Sequence, residues 1–175
     1  MSPSPACILI LLLLSGPAVL AQSQNEYAVR AAFVLNLAKY VEWPQASPVL
    51  TVGFIGEGPM GDTLKQMLDG KSSDSRPIQV LLYPSNEALE RCNIIYITHS
   101  SSKKNRAALE RVGSRSILTV GESDSFTREG GMVGLVRVGE KVQIQINLDA
   151  TQAARLRISA RLLNLSSVVR ITGKY

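Results

Sequence analysis

Four short β-branched runs, Val49–Ile55, Ile78–Tyr83, Ile94–Thr98 and Ser116–Val120, alternate with turns and helix-compatible segments, and this alternation constrains the fold more than anything else in the chain. Successive parallel strands need a crossover to return the chain to the same edge, and a helix is the usual crossover. Helical segments are expected over 62–69, around Glu87 to Arg91, and over Ser102 to Val112, where Ala107, Ala108, Leu109 and Val112 face the core. Ile94 to Ile97 is apolar throughout, as a strand covered on both faces should be. After Glu122 the pattern changes to two β-runs, Met132–Val138 and Lys141–Leu148, joined by Gly139-Glu140, whose leading glycine suits a type II′ turn. The second run alternates Val142, Ile144, Ile146 and Leu148 with Lys141, Gln143, Gln145 and Asn147, so one face is buried and one is polar. Asp149 with Gln152, and then Ser159, open further helical stretches. The expected fold is a single three-layer α/β domain. Its central sheet is mostly parallel, with about five or six strands, an antiparallel hairpin at one margin and helices on both faces.

The beginning of the chain has a different character. Residues 8–14 form an apolar run, and Val19-Leu20-Ala21 fits the small-x-small pattern of a signal-peptidase site. Residues 1–21 therefore read as a secretory signal peptide cleaved after Ala21, with 22–175 as the exported domain. Met1 to Cys7 carries no Lys or Arg, which leaves retention as an anchor as the alternative. A domain of this length buries about two thirds of its unfolded surface in one core. Only Cys92 remains after cleavage, so no internal disulfide can form, and its place at the start of an apolar strand predicts a small buried hydrophobe. The net charge is +5, with Arg155, Arg157, Arg161, Arg170 and Lys174 clustered late. Export separates such a stripe from nucleic acid, so it reads as a solvated face, or as a contact for an anionic membrane surface or acidic protein.

The exported domain opens on Glu26 to Pro44. Ser23-Gln24-Asn25-Glu26 has the form of a capping box, which predicts a helix from about Asn25 to Glu42. The helix ends at the chain's only tryptophan, Trp43, followed by Pro44. A helix so poor in polar positions is either central to the domain or a docking surface. Packing is the expectation for Phe33 and Leu37. Tyr40 and Trp43, where the helix breaks, are the amphipathic anchors that a partner would use.

Signs of chemistry are weak. Gly56-Glu57-Gly58-Pro59-Met60-Gly61 matches G-x-G-x-x-G between a strand and a helix, but the second strand ends in Leu82-Tyr83-Pro84 with no acid to hold a ribose. A tight βα turn is expected instead, with amides at Gly58 and Gly61 able to accept a small anion. His99, beside Ser100-Ser101-Ser102, lacks any sign of an orienting acid or oxyanion hole and reads as a cap or loop contact. One His and one exported Cys do not make a transition-metal site. Glu122, Asp124 and Glu129 are interleaved with Ser123, Ser125, Thr127 and Arg128, the composition of a solvated loop. Gly130-Gly131 before a strand signals an unusual backbone angle or a close approach. No cofactor, metal or catalytic residue is expected.

Taken in order, Tyr40-Val41-Glu42-Trp43-Pro44, Gly58-Pro59-Met60-Gly61, Cys92-Asn93-Ile94-Ile95-Tyr96-Ile97, Ile117-Leu118-Thr119-Val120-Gly121-Glu122, Gly130-Gly131-Met132, and Ile146-Asn147-Leu148-Asp149 through Leu156-Arg157-Ile158-Ser159 resemble the YfiR family. The resemblance spans the exported domain. It implies a small non-enzymatic periplasmic regulator that represses an inner-membrane diguanylate cyclase by binding its periplasmic sensor region. A sensor kinase is the alternative partner class; an outer-membrane lipoprotein that sequesters the regulator is a further implied association, and a homodimer stays open. Disulfides tune some members, but here only Cys92 stands at a matching position. Arg155 stands where the family often has a small residue. Residues and resemblance together give Tyr40, Trp43, Pro44, Gly58, Gly61, Gly130, Gly131, Asn147 and Arg157 as partner- or ligand-binding candidates. Two other readings stay open: a small-ligand sensor with its pocket near Gly58 to Gly61 and the Asn147 corner, and an exported enzyme of unrecognised chemistry.

Overall fold

In a computed structural model, which describes residues 17–99, 101–165 and 168–172, the β-branched runs become the centre of one large sheet. The apolar run at 8–14, Ser100 and Lys174 lie outside the described residues. The chain opens with α1 (Pro17–Tyr40), β1 (Val41–Glu42), β2 (Leu50–Gly56), α2 (Met60–Leu68), β3 (Ser72–Ser73) and β4 (Arg76–Leu82). It continues through α3 (Asn86–Leu89), β5 (Ile94–Thr98), α4 (Ser102–Val112) and β6 (Leu118–Gly121). The hairpin strands β7 (Val133–Val138) and β8 (Lys141–Asn147) follow, then α5 (Leu148–Ala153), β9 (Arg157–Ile158), α6 (Ala160–Leu163) and β10 (Val168–Ile171).

The main sheet has the order β10-β8-β7-β6-β5-β2-β4-β3, with β4, β2, β5, β6 and β7 parallel. The class is the one expected, with eight strands among the described residues rather than five or six. The additional ones are short: β3 has two residues, and β10 adds a parallel partner outside β8, so the hairpin stands one strand in from the margin. A four-residue run with two exposed positions gives too little periodicity to read as a strand. The hairpin turn has the expected chemistry, with Gly139 at φ +62° between the paired Val138 and Lys141.

Alternation along the strands divides the core. Val52, Phe54, Ile94, Tyr96, Leu118 and Val120 meet α1 and α2 on one face. Ile95, Ile97 and Ile117 meet α3, α4 and Phe126 on the other. On α4, Ala108 and Val112 are buried and Leu109 half-buried, whereas Ala107 is exposed. Asn105 takes the inward place instead, its side chain accepting a bond from the His99 backbone amide at 3.1 Å. A polar residue that satisfies a strand end holds that position better than an alanine methyl.

Helix α1 differs from the expectation at both ends. It runs unbroken from Pro17, so Ser23 lies inside the helix rather than at its cap. Adding residues to an existing helix costs far less than starting one, and Ala18 to Gln22 are mostly good helix formers. At the other end it stops at Tyr40, because Val41 and Glu42 leave it to pair with Ile158 and Arg157 in a separate two-stranded sheet.

Candidate functional site

That small sheet builds a corner at the amino ends of the parallel strands. The Tyr40 carbonyl accepts from the Ser159 amide at 2.8 Å, and the β1–β9 register places Glu42 opposite Arg157. The Arg157 Nε to Glu42 Oε2 distance is 3.6 Å between two exposed side chains, a pair that contributes little to stability. Trp43 follows, its ring half-buried on the core and its Nε1 donating to the Asn93 carbonyl at 3.1 Å. The Arg76 guanidinium lies 5.7 Å from the centre of the indole ring. Pro44 is exposed. Arg157, more than a hundred residues away in sequence, is thus brought beside Tyr40, Trp43 and Pro44. Leu37 is buried and Phe33 half-buried against the same core, so both pack.

Beyond Trp43 the surface opens into a groove of about 890 Å³ across the amino ends of β2, β5 and β6. Its floor includes Thr51, Asn93 and Ile117, and its walls carry Arg91, Arg115 and Arg155 with Glu90. Asn93 organises the floor. Its amide donates to the Thr51 carbonyl at 2.8 Å, its Oδ1 accepts from the Thr51 amide at 2.9 Å, and its carbonyl accepts from the Leu118 amide at 2.9 Å as well as from Trp43. Arg155 follows α5 with φ +59°, the left-handed place where a helix usually ends in glycine. An L-residue there costs roughly 1–2 kcal/mol. Cys92 also lines the groove, and desolvation pushes its thiol up to about 11, the nearby Arg91 only partly opposing this. A thiol held protonated is a poor nucleophile at neutral pH.

The remaining candidates occupy structural positions. Gly58 provides a left-handed turn at φ +85°, and a Cβ on Gly61 would stand 2.7 Å from the Phe54 ring. Gly130 lies at φ +98°, and a Cβ on Gly131 would stand 2.2 Å from the Phe126 ring, so the pair supplies one unusual angle and one close approach. Asn147 is buried at the start of α5, where its Oδ1 accepts from the Ala150 amide at 2.9 Å and its Nδ2 donates to the Thr127 carbonyl at 2.8 Å. A pocket shared by Gly58 to Gly61 and the Asn147 corner is not formed. The two lie on strands β2 and β8, four places apart in the sheet, roughly 19 Å at about 4.8 Å per strand.

The carboxyl ends of the strands hold a polar cluster that the sequence reading placed in solvent. Glu122 is half-buried rather than solvated: its Oε1 accepts from the Tyr96 hydroxyl at 2.7 Å, and its Oε2 lies 3.2 Å from Arg30 Nη1. Arg30, only 7% exposed, also meets Glu26 at 2.7 Å, and Arg137 reaches the other oxygen of Glu26 at 3.0 Å. Burial, and then the neighbouring Glu122 carboxylate, hold the Tyr96 hydroxyl well above its ordinary value. The signal for this network was Arg30 itself, a cation set among the apolar positions of the helix, where it needs an acid beside it. His99 stands beside it as a loop contact, with Nδ1 3.8 Å from Glu57 Oε1, while Lys104 bonds the same oxygen at 2.6 Å. Among the described residues no group of three or more His, Cys, Asp or Glu is placed to hold a metal ion.

Fold and site define the class first: a single-domain α/β protein that presents an open polar groove and an aromatic corner at one pole of its sheet. The chain belongs to the YfiR/HmsC-like family, whose model matches residues 27–167. That family is regulatory, non-enzymatic and periplasmic. No curated protein matches the chain. Among the described residues, no helix is long and apolar enough to cross a membrane.

Proposed function

We propose that this protein is a periplasmic repressor that binds the periplasmic sensor region of an inner-membrane signalling protein, a diguanylate cyclase in the first instance, through the corner formed by Tyr40, Trp43, Pro44 and Arg157. The observation that carries this reading is the family match across nearly all of the exported domain. The geometry supports it. The helix break leaves a half-buried indole, an exposed proline and three guanidinium groups, those of Arg76, Arg155 and Arg157, around one corner, and aromatic and arginine side chains dominate protein interfaces. Repression then works by population shift: the regulator binds the inactive state of the cyclase more tightly than the active one, and whatever competes for the regulator restores activity. An outer-membrane lipoprotein would act by such competition.

The experiment is deletion of the gene in its native host, with cellular cyclic-di-GMP as readout. Deletion raises the nucleotide several-fold and the wild-type gene restores it. Trp43→Ala, exported at wild-type level, restores it at least tenfold less effectively, as loss of about 2 kcal/mol at an interface anchor requires. An unchanged cyclic-di-GMP level after deletion contradicts the reading.

A further inference from the structure

The groove next to that corner has a chemistry of its own. Arg115 is committed: its Nη1 bonds the Arg111 and Val112 carbonyls at 3.1 and 2.9 Å, closing the carboxyl end of α4, and its Nη2 meets Glu90 at 3.3 Å. That contact also neutralises the acid on this wall. Arg91 and Arg155, by contrast, have no ion pair among the described residues, and both line the groove. Between them lies Asn93, 7% exposed, whose Oδ1, amide and carbonyl are all engaged while its Nδ2 has no partner among the described residues. The fold leaves this donor open to the groove, free for an acceptor that enters it. Arg155 makes the same point from the backbone. A glycine would relieve its left-handed conformation, yet the position carries a guanidinium turned to use on the groove wall.

We propose that the groove is a binding site for a small organic anion, its charged oxygens held by Arg91 and Arg155 and by the Nδ2 donor of Asn93. Two unpaired guanidiniums and one amide form a donor-only set, which suits carboxylate or phosphate oxygens and rejects cations. The volume, about 890 Å³, accommodates a small molecule. Because Trp43 and Pro44 form part of the same groove, an occupant would alter the surface offered to a protein partner. The site itself does not depend on any partner, so its failure and the failure of the repressor reading are separate results.

The test is isothermal titration of the exported protein with citrate and, separately, with inorganic phosphate, at low and at high ionic strength. Binding of either probe is expected, weakening with salt. Citrate alone points to a carboxylate ligand, and phosphate alone to a phosphorylated one. Arg91→Gln and Arg155→Gly each weaken binding about tenfold, the loss of one charge-assisted contact. Arg155→Gly keeps or raises the melting temperature, which separates lost binding from lost folding. Arg137→Gln, at the other pole, leaves binding unchanged. The proposal is overturned if neither probe binds, if the Arg91→Gln/Arg155→Gly double variant binds as wild type does, or if Arg137→Gln weakens binding equally.

Discussion

The two poles of the sheet use polar residues in opposite ways. At the carboxyl ends, where open α/β sheets usually keep their ligand sites, Tyr96, Glu122, Arg30, Glu26 and Arg137 are bonded to one another in a chain that fastens α1 to the sheet. At the amino ends, Trp43, Asn93, Arg91 and Arg155 surround open space, and part of their bonding capacity is unspent. The difference teaches that a concentration of polar side chains is not a site. What marks a site is hydrogen-bonding and charge capacity that faces open space; Arg30 Nε and His99 Nδ1 lack hydrogen-bond partners among the described residues but are enclosed.

If that contrast is correct, damage to the closed pole should appear as lost stability. The largest effect is expected for Glu122→Ala, which leaves the buried Arg30 with Glu26 as its remaining acid and the Tyr96 hydroxyl without its acceptor. Leaving a buried hydroxyl without its charged acceptor and taking one of two carboxylates from a buried guanidinium costs about 3 kcal/mol, so urea unfolding should shift toward lower denaturant. A loss below about 1 kcal/mol would show that the network is ornamental and erase the contrast. Gly131→Ala comes next, because its methyl would stand 2.2 Å from the buried Phe126 ring. Overpacking of this kind costs about 1–3 kcal/mol, again read by urea unfolding and without effect on groove binding.

The smallest effect lies at the open pole and depends on pH. The Cys92 thiol is pushed up to about 11 in the folded protein, while an unfolded thiol ionises near 8.5–9. Between those values the unfolded chain has released a proton that the folded one retains, so stability falls as pH rises through this window. Cys92→Ala should flatten the decline without abolishing it, since the Tyr96 hydroxyl, also shifted upward, acts in the same direction. An unchanged slope in that variant would mean that Cys92 is not buried as described.

Much of the architecture was legible because it rests on periodicity. The apolar run Ile94 to Ile97 fits a doubly covered strand, and the leading glycine of Gly139-Glu140 suits a tight turn between two β-runs. The pairing of Val41 and Glu42 with Ile158 and Arg157 was not legible, because two-residue strands carry no period and their partners lie more than a hundred residues apart. The site was half legible for the same reason. Trp43 and Pro44 announced a helix break, and Arg157 belonged to a recognisable block. The groove, however, is made by residues whose sequence neighbours say nothing of it: Asn93 reads as the lead-in to a strand, and Arg155 as one of several late arginines. Glu122 misled in the other direction. Its serine-rich surroundings suggested solvent, and only the fold shows that Arg30 and Tyr96 reach it.

The central claim, that the amino-end corner is the working surface, is tested most directly by photo-cross-linking in the native host. A photoreactive amino acid is placed at Pro44, exposed at the open pole, or at Tyr83, 64% exposed after the carboxyl end of β4. The account predicts an adduct from position 44, identified by mass spectrometry as an inner-membrane diguanylate cyclase cross-linked within its periplasmic region, and none from position 83. An adduct with that cyclase from position 83 alone, or no cyclase adduct from either position, would contradict it.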